Sequence, residues 1–172
     1  ELFSDFASGH TMNRLVQGDV GSGKTAIAFY AMYCMDANGY QSVMMAPTEI
    51  LAQQHFEAAK KIFPEERVIC LTSNLTGKQK RELHKRAEDG SATVIIGTHA
   101  LLYGNISYPN LGLVITDEQH RFGVKQRAEL KNSGQGIHTL VMSATPIPRS
   151  LSLVLFGQTD ISVVDELPPG RK

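Results

Sequence analysis

The stretch GDVGSGKT, residues 18–25, constrains the fold of this chain more than any other feature. It fits the pattern G-x-x-x-x-G-K-[ST], follows an apolar run (14–17) and precedes a segment of helical character (25–37). Glycines at these positions let the backbone turn back, so that successive N–H groups and the N-terminus of the following helix surround an anion. The sequence therefore predicts a strand–loop–helix unit that binds the phosphates of a nucleotide.

The side chains of the loop have separate predicted roles. Lys24 is expected to reach the β- and γ-phosphates, and the hydroxyl of Thr25 is expected to bind magnesium. The alternative is a tight turn with a surface lysine, but neither residue then has a packing reason to be there. The predicted phosphate-binding residues are Gly18, Asp19, Val20, Gly21, Ser22, Gly23, Lys24 and Thr25.

Short apolar runs alternate with segments of helical period along the chain. Strands that are apolar on both faces and separated by helices are typical of a parallel sheet covered on both sides. We therefore predict a three-layer, doubly wound α/β fold with a mainly parallel sheet. The predicted strands are 14–17, 42–46, 67–72, 93–97, 111–116, 138–143 and 160–164, and the predicted helices are 25–37, one that Thr48 caps, 77–90 and one around 149–157.

The stretch LGLVITDEQHRFG contains two adjacent carboxylates directly after an apolar strand. A magnesium–nucleotide site needs an acid at the end of a strand near the phosphate loop, and Asp117 is placed to hold the metal directly or through water. Glu118 could then orient and polarise the water that attacks the γ-phosphate. Zinc is a poorer interpretation, because neither H-E-x-x-H nor C-x-x-C occurs. A simple helix cap remains the other structural alternative.

Composition limits the kinds of protein that this chain can be. Its 172 residues and 42% hydrophobic content suit one domain with a full core. Seventeen basic and seventeen acidic residues cancel, which argues against attachment to nucleic acid by bulk charge alone. Cys34 and Cys70 lie in apolar surroundings and are expected to be buried free thiols. No signal-peptide pattern or membrane-length apolar run is found, so we expect a cytoplasmic, membrane-independent domain.

The word DEQH resembles the second motif of the superfamily 2 helicases and translocases, and further motifs of that family follow in the family's order. They are APTEILA (46–52), LTG (75–77), GTHAL (97–101) and SATPIPR (143–149). The resemblance implies a RecA-like motor lobe that uses ATP and Mg²⁺. It also implies that Glu118 and His120 belong to the catalytic motif, and that Gln119, Ser143, Ala144 and Thr145 couple the nucleotide to a strand-binding surface.

The resemblance is closest to the bacterial superfamily 2 helicases that remodel branched DNA. The stretches that carry it are MNRLVQGDVGSGKT, MAPTEILAQQH, GTHALL, DEQHRFGVKQR, ATPIPRSL and DELPPGRK. The motor of the transcription-repair coupling factors shares several of them. That family typically has phenylalanine at the position of Ser22 and glutamate at the position of Gln119, which favours the branched-DNA helicases. A stand-alone nucleotide switch or a small kinase remains a further alternative.

Contacts with DNA are implied by the resemblance alone. Such motors hold the phosphate backbone with amides and small hydroxyls, in agreement with the zero net charge. The candidates are Pro47, Thr48, Thr76, Gly77, Thr98 and His99. Helix caps and turns are their structural interpretation, and Glu49 is expected to be structural. Lys78, Arg81 and Lys85 share one helix face, which is more often simply solvated.

The resemblance also implies parts that these residues do not contain. We expect residues 1–166 to form the first motor lobe and residues 167–172 to begin the linker to a second RecA-like lobe. The second lobe would supply an arginine to the γ-phosphate, and a wedge domain would hold the DNA branch. We therefore expect a monomeric piece that binds nucleotide weakly and hydrolyses almost none.

Overall fold

Seven parallel strands form one sheet in a computed structural model that describes residues 6, 9–98, 106–117, 136–145 and 159–164. The order across the sheet is β3-β4-β2-β5-β6-β1-β7. The strands are β1 (Asn13–Gly18), β2 (Gln41–Met45), β3 (Val68–Leu71), β4 (Val94–Gly97), β5 (Leu111–Asp117), β6 (His138–Ser143) and β7 (Asp160–Val164). All described pairings between neighbouring strands are parallel. The predicted α/β fold is confirmed.

Helices lie on both faces of the sheet. Alternate side chains of the central strands therefore enter two separate cores, one on each face. On one face, Met44 of β2 packs in a cluster with residues of α1 (Lys24–Ala37) and α2 (Glu49–Ala59). On the other face, Val43 and Met45 pack in a cluster that includes Ala87 of α3 (Gly77–Glu88). Side chains of successive strand residues point to opposite faces, which explains why these strands are apolar throughout.

The helices begin and end at residues whose local chemistry explains the boundary. Thr48 caps α2 by accepting a hydrogen bond from the Leu51 N–H at 3.2 Å. Thr76 caps α3, and Gln79 completes a capping box by accepting from the Thr76 N–H at 3.0 Å. Helix α1 ends at Ala37, before Gly39, whose φ of 77° is unfavourable for other residues. A short 3₁₀ helix, Glu65–Arg67, precedes β3.

A buried glutamine connects β2 to the segments on either side of β4. Gln41 is 1% exposed, and its Nε2 donates to the carbonyls of Ala87 at 2.8 Å and Ala92 at 2.9 Å. Its Oε1 accepts from the Asn110 N–H at 3.2 Å. The amide therefore satisfies three backbone groups at the amino end of the sheet.

The cysteines are free, as predicted, but both are half-buried rather than buried. The helix predicted around 149–157 lies outside the described residues. Among the helices that the structure describes, none is long and apolar enough to cross a membrane.

Candidate nucleotide-binding site

All the predicted site residues that the structure describes lie at or just beyond the carboxyl edge of the sheet, because parallel strands end on the same side. Strand β6 lies between β5 and β1. Asp117 at the end of β5 pairs in register with Met142, and Ser143 pairs with Gln17, the residue before Gly18. Adjacent strands are about 4.8 Å apart. The acid and the phosphate loop therefore face the same region, two strands apart.

The phosphate loop has the backbone that its glycines predict. Gly21 has φ 83° and Gly23 has φ 94°, values that side-chain-bearing residues rarely adopt. The loop closes through a hydrogen bond from the Ser22 N–H to the Asp19 carbonyl at 3.0 Å. Helix α1 begins directly afterwards, with no side chain capping its N-terminus and no acid in its first turn. The first N–H groups and the helix dipole are thus suited to an anion.

Lys24 lies folded against the phosphate loop. Its side chain is buried, and Nζ donates to the carbonyls of Gly18 at 2.6 Å and Asp19 at 2.8 Å. Because these carbonyls belong to the loop itself, the ammonium group is held next to the phosphate-binding amides. Phosphate oxygens would compete with the two carbonyls for the same three N–H donors. The lysine is therefore part of the site and not a surface residue.

Ser22 provides a sign of ligand binding that comes from the structure alone. Its hydroxyl is buried and has no hydrogen-bond partner. A Cβ at Gly18 would lie 2.6 Å from this oxygen and 2.9 Å from the Val164 carbonyl of β7. Buried hydroxyls normally have a partner, since burying one without a partner is unfavourable. An orphaned hydroxyl inside the loop fits a site whose polar ligand supplies the missing bond.

Asp117 has a partner that the sequence did not predict. Its Oδ2 lies 2.8 Å from Nε2 of His55, and both side chains are almost fully buried. The ring of His55 also meets that of Phe29 edge to face, with 6.4 Å between centroids. Residues 55 and 117 are far apart in the chain, so no local pattern pairs them. The signal that the sequence offers for His55 is its position on the inward face of α2.

The SAT turn after β6 is held together by its own hydroxyls. The Ser143 Oγ lies 3.0 Å from the Thr145 Oγ1 and accepts from the Thr145 N–H at 3.2 Å. Ser143 is buried, whereas Ala144 is half-buried and Thr145 is exposed. The expected contacts of this turn with the DEQH residues stay a prediction. Glu118, Gln119 and His120 lie outside the described residues, as does His99.

The candidate DNA-binding residues lie on the other half of the same edge, after β2, β3 and β4. Pro47, Thr48, Thr76 and Gly77 are exposed, and Thr98 is half-buried. The two threonine caps support the structural interpretation of Thr48 and Thr76. The two helices that these threonines cap also begin at the same edge of the sheet, and the first amides of a helix suit backbone phosphates.

Glu49 has the structural role that we expected of it. Its carboxylate accepts from the Ser73 N–H at 2.9 Å and also bonds the Ser73 hydroxyl and the Asn74 amide. These bonds connect the start of α2 to the loop that leads into Thr76. Burial, together with the charges of Glu49 and Glu57, raises the pKa of the nearby Cys70 thiol to about 11. The carboxylate of Glu49 therefore holds together two segments of this half of the edge.

A parallel sheet with a phosphate loop at its carboxyl edge is typical of nucleotide-binding α/β domains. The chain matches the family described as DEAD/DEAH box helicase over residues 2–154, and it therefore belongs to that family. Within it, the chain is similar to the ATP-dependent DNA helicase RecG: the Streptococcus pneumoniae protein is 50% identical over 172 residues, and the Aquifex aeolicus protein is 49% identical over 176. The resemblance predicted from the motifs is thereby confirmed.

The chain spans only part of the length of these relatives. It is covered completely, but it spans only 26% of the Streptococcus pneumoniae protein and 22% of the Aquifex aeolicus protein. A solved structure of RecG bound to a three-way DNA junction superposes with a TM-score of 0.85 at 44% identity, covering all of this chain and 23% of that one. The Hef helicase domain of Pyrococcus furiosus has a TM-score of 0.72 at 23% identity over 98% of this chain and 38% of its own, which shows the shared fold alone.

Proposed function

We propose that the chain is the ATP-binding motor lobe of a DNA helicase that remodels branched DNA during recombination and repair. The observation that carries the proposal is the placement of a phosphate loop with a buried lysine and of Asp117 at one edge of a parallel sheet. Similarity to RecG and to its complex with a three-way junction supports DNA as the substrate. Because the proposed substrate is DNA, we also propose a cytoplasmic location.

ATP fits the residues at the loop. The unpartnered Ser22 hydroxyl and the uncapped N-terminus of α1 both suit phosphate oxygens. We assign the phosphates to the backbone of residues 18–23 and to Lys24, and we assign magnesium to Thr25 and Asp117. Magnesium, when bound, would neutralise part of the charge on the β- and γ-phosphates. Lys24 would give up its two carbonyl partners and donate to the phosphates instead.

The remaining DEQH residues complete the proposed chemistry. Glu118 follows Asp117 at the strand end and orients the attacking water. Gln119 and His120 link the nucleotide to the turn formed by Ser143, Ala144 and Thr145, whose compact hydroxyl bonding gives it a defined shape. On the other half of the edge, the helix N-termini after Pro47 and Thr76, together with Gly77, Thr98 and His99, contact the DNA backbone.

Two substitutions in the full-length protein test the proposal. Glu118→Gln should abolish hydrolysis of ATP in the presence of a three-way junction while leaving ATP binding intact, because it removes the water-orienting charge and keeps the shape. Lys24→Ala should weaken ATP binding itself. Steady-state hydrolysis and equilibrium binding of a fluorescent ATP analogue separate the two effects. Unchanged turnover in Glu118→Gln would show that this residue does not have the assigned role.

The main alternative is the motor of a transcription-repair coupling translocase, which shares several motifs. Similarity to the RecG proteins favours a branched-DNA helicase. The two functions differ in their substrates. Unwinding of a three-way junction by the full-length protein supports the proposal, whereas displacement of a stalled RNA polymerase without unwinding supports the alternative.

The division of the chain into domains is also part of the proposal. We assign residues 1–166 to the motor lobe and residues 167–172 to the start of a linker. A chain that spans about a quarter of its relatives leaves room in the complete protein for a second lobe and a wedge domain. The second lobe would supply the arginine that stabilises charge in the transition state.

A further inference from the structure

His55 is a buried polar residue on a helix face that is otherwise apolar. Helix α2 buries three residues against the sheet, Ala52, His55 and Ala59, and the two alanines are 0% exposed. The histidine is 6% exposed. A ring with two polar nitrogens is unfavourable there unless it has a specific partner.

The partner is the carboxylate to which we assign magnesium. Nε2 of His55 lies 2.8 Å from Oδ2 of Asp117, a distance typical of a strong hydrogen bond. Phe29 of α1 packs edge to face on the same ring, at an interplanar angle of 85°. The ring is therefore fixed from two sides, by the helix that follows the phosphate loop and by the strand that carries the acid.

The hydrogen bond to one oxygen of Asp117 fixes the direction in which the other oxygen points. Metal-binding carboxylates are usually oriented by a hydrogen bond from a second residue, and removing that residue weakens the metal site. With Oδ2 bonded to His55, the carboxylate cannot rotate freely about its last torsion. The remaining oxygen keeps one direction, as a metal or a metal-bound water requires.

Helix α2 extends this contact to the other half of the edge. It begins after Pro47 and Thr48, which we assign to DNA, and Glu49 ties its first turn to the loop before Thr76. His55 lies seven residues after Thr48, a separation of roughly 10 Å along a helix. A rigid helix of this length moves as one body. A displacement of its first turn therefore changes the geometry between His55 and Asp117.

We infer that His55 is a positioning residue that orients Asp117 toward magnesium and couples the DNA-binding end of α2 to the nucleotide site. The inference rests on the proposed function, because it assumes that Asp117 serves the metal. The contact adds a second connection between DNA and nucleotide, beside the one that we assign to the turn of residues 143–145. Helix α2 follows β2 and that turn follows β6, and these two strands flank β5, which carries Asp117.

The first test measures magnesium dependence without hydrolysis. In the full-length protein, the affinity for a fluorescent ADP is measured in EDTA and across a magnesium titration. His55→Ala should leave the affinity in EDTA close to wild type and raise the half-saturating magnesium concentration by roughly 10- to 100-fold. His55→Gln, whose amide can still donate to the carboxylate, should lie near wild type.

The ratio of the ADP affinity in magnesium to the ADP affinity in EDTA separates a positioning role of His55 from a merely structural one. A variant that is merely less stable loses affinity equally with and without magnesium, so an unchanged ratio in His55→Ala would overturn the inference. His84→Gln, on the distant helix α3, is the matched histidine control and should leave the ratio unchanged. Failure of the proposed function is a different result: Lys24→Ala would bind nucleotide as tightly as wild type.

The second test concerns the coupling. Bound DNA should change nucleotide affinity by some factor in the wild type, and nucleotide should change DNA affinity by the same factor. In His55→Ala that factor should fall toward one, while DNA affinity without nucleotide stays the same. A double-mutant cycle with Asp117→Asn should then show no further loss of coupling. Full coupling in His55→Ala would contradict a route through α2.

Discussion

Each residue of the phosphate loop restricts which side chain can stand at its position, and the physical reason differs from one residue to the next. Gly23 needs its positive φ, whereas Gly18 needs the absence of a side chain, because a Cβ would collide with Ser22 and with the Val164 carbonyl. At position 24 a lysine is required to donate the hydrogen bonds to two loop carbonyls. The same motif therefore combines backbone strain, close packing and hydrogen bonding within eight residues.

Replacing Gly18 by alanine should disturb both the loop and β7. The new methyl group would lie 2.6 Å from the Ser22 hydroxyl and 2.9 Å from the Val164 carbonyl oxygen, and both contacts are too short to be kept. We expect a loss of about 1–3 kcal/mol in unfolding free energy, measured by urea denaturation, together with weaker nucleotide binding. Gly77→Ala is the stability control, since its nearest contact would be 3.9 Å away at the flexible end of Arg81. Equal stability of the two variants would contradict the packing argument.

The thiol of Cys70 should react slowly and only at high pH. Burial and two nearby carboxylates raise its pKa to about 11, so the thiolate is scarce below that pH. In a Cys34→Ala background, the iodoacetamide rate should keep rising up to about pH 11, and Glu49→Gln should shift the curve to lower pH. A plateau near the ordinary thiol pKa of about 8.5 would contradict the assignment.

The same pKa has a consequence for stability. Because the folded pKa lies above the unfolded value, the folded state retains the proton longer as the pH rises. The stabilising contribution is complete below about pH 9. It is lost as the pH rises through about 11.

At the scale of elements, Gln41 shows how the strands are kept in order. It lies at the first position of β2 and satisfies carbonyls at the end of α3 and before β4, as well as an amide before β5. One amide thus connects the segments that enter three adjacent strands. The bonds lie at the amino edge, opposite the nucleotide site.

Removing this amide should destabilise the fold without changing the site. Gln41→Ala leaves buried backbone groups without partners, each at a cost of about 1–3 kcal/mol, so we expect a loss of at least about 2 kcal/mol in unfolding free energy. Gln53→Ala on α2, whose amide bonds only the exposed Glu57, should stay within about 0.5 kcal/mol of wild type. Chemical denaturation measures both. A Gln41→Ala variant as stable as Gln53→Ala would contradict the assigned role.

The elements themselves could be predicted from the sequence because their signals are local. Apolar runs give the strands, Thr48 and Gly39 mark helix ends, and the phosphate loop fixes the orientation of β1 and α1. The pairs that connect elements could not be predicted in this way. His55 and Asp117 are separated by 62 residues, and Gln41 and Ala92 by 51, so only the folded sheet brings them together.

For the whole molecule, the sheet order divides the carboxyl edge into two halves. The residues that we assign to nucleotide follow β5, β6 and β1, and those that we assign to DNA follow β2, β3 and β4. The two groups of strands are contiguous, and they meet where β2 pairs with β5. A helicase lobe of this design needs connections across one boundary only, and the His55–Asp117 contact crosses it.

The 172-residue chain alone should bind nucleotide but hydrolyse very little. The proposed second lobe of the full-length protein would supply an arginine, and such an arginine is worth roughly 10³–10⁵ in turnover in nucleotide hydrolases that use one. Magnesium–ADP should raise the midpoint of thermal unfolding by an amount that grows with the logarithm of its concentration above Kd, and Lys24→Ala should remove that shift. Added DNA should not stimulate hydrolysis. Stimulated turnover at the rate of the full-length protein would contradict this prediction.

The parallel direction of the described strands also determines where the chain can accept new material. Loops that leave the strands open beside the phosphate loop, whereas loops that enter them, such as the exposed residues 38–40, open on the far side. Insertions, fused domains or fluorescent labels in the second group are remote from the groups assigned to nucleotide and DNA. The amino edge is therefore the side on which a motor of this kind can acquire additional parts, through evolution or in the laboratory, while its chemistry stays unchanged.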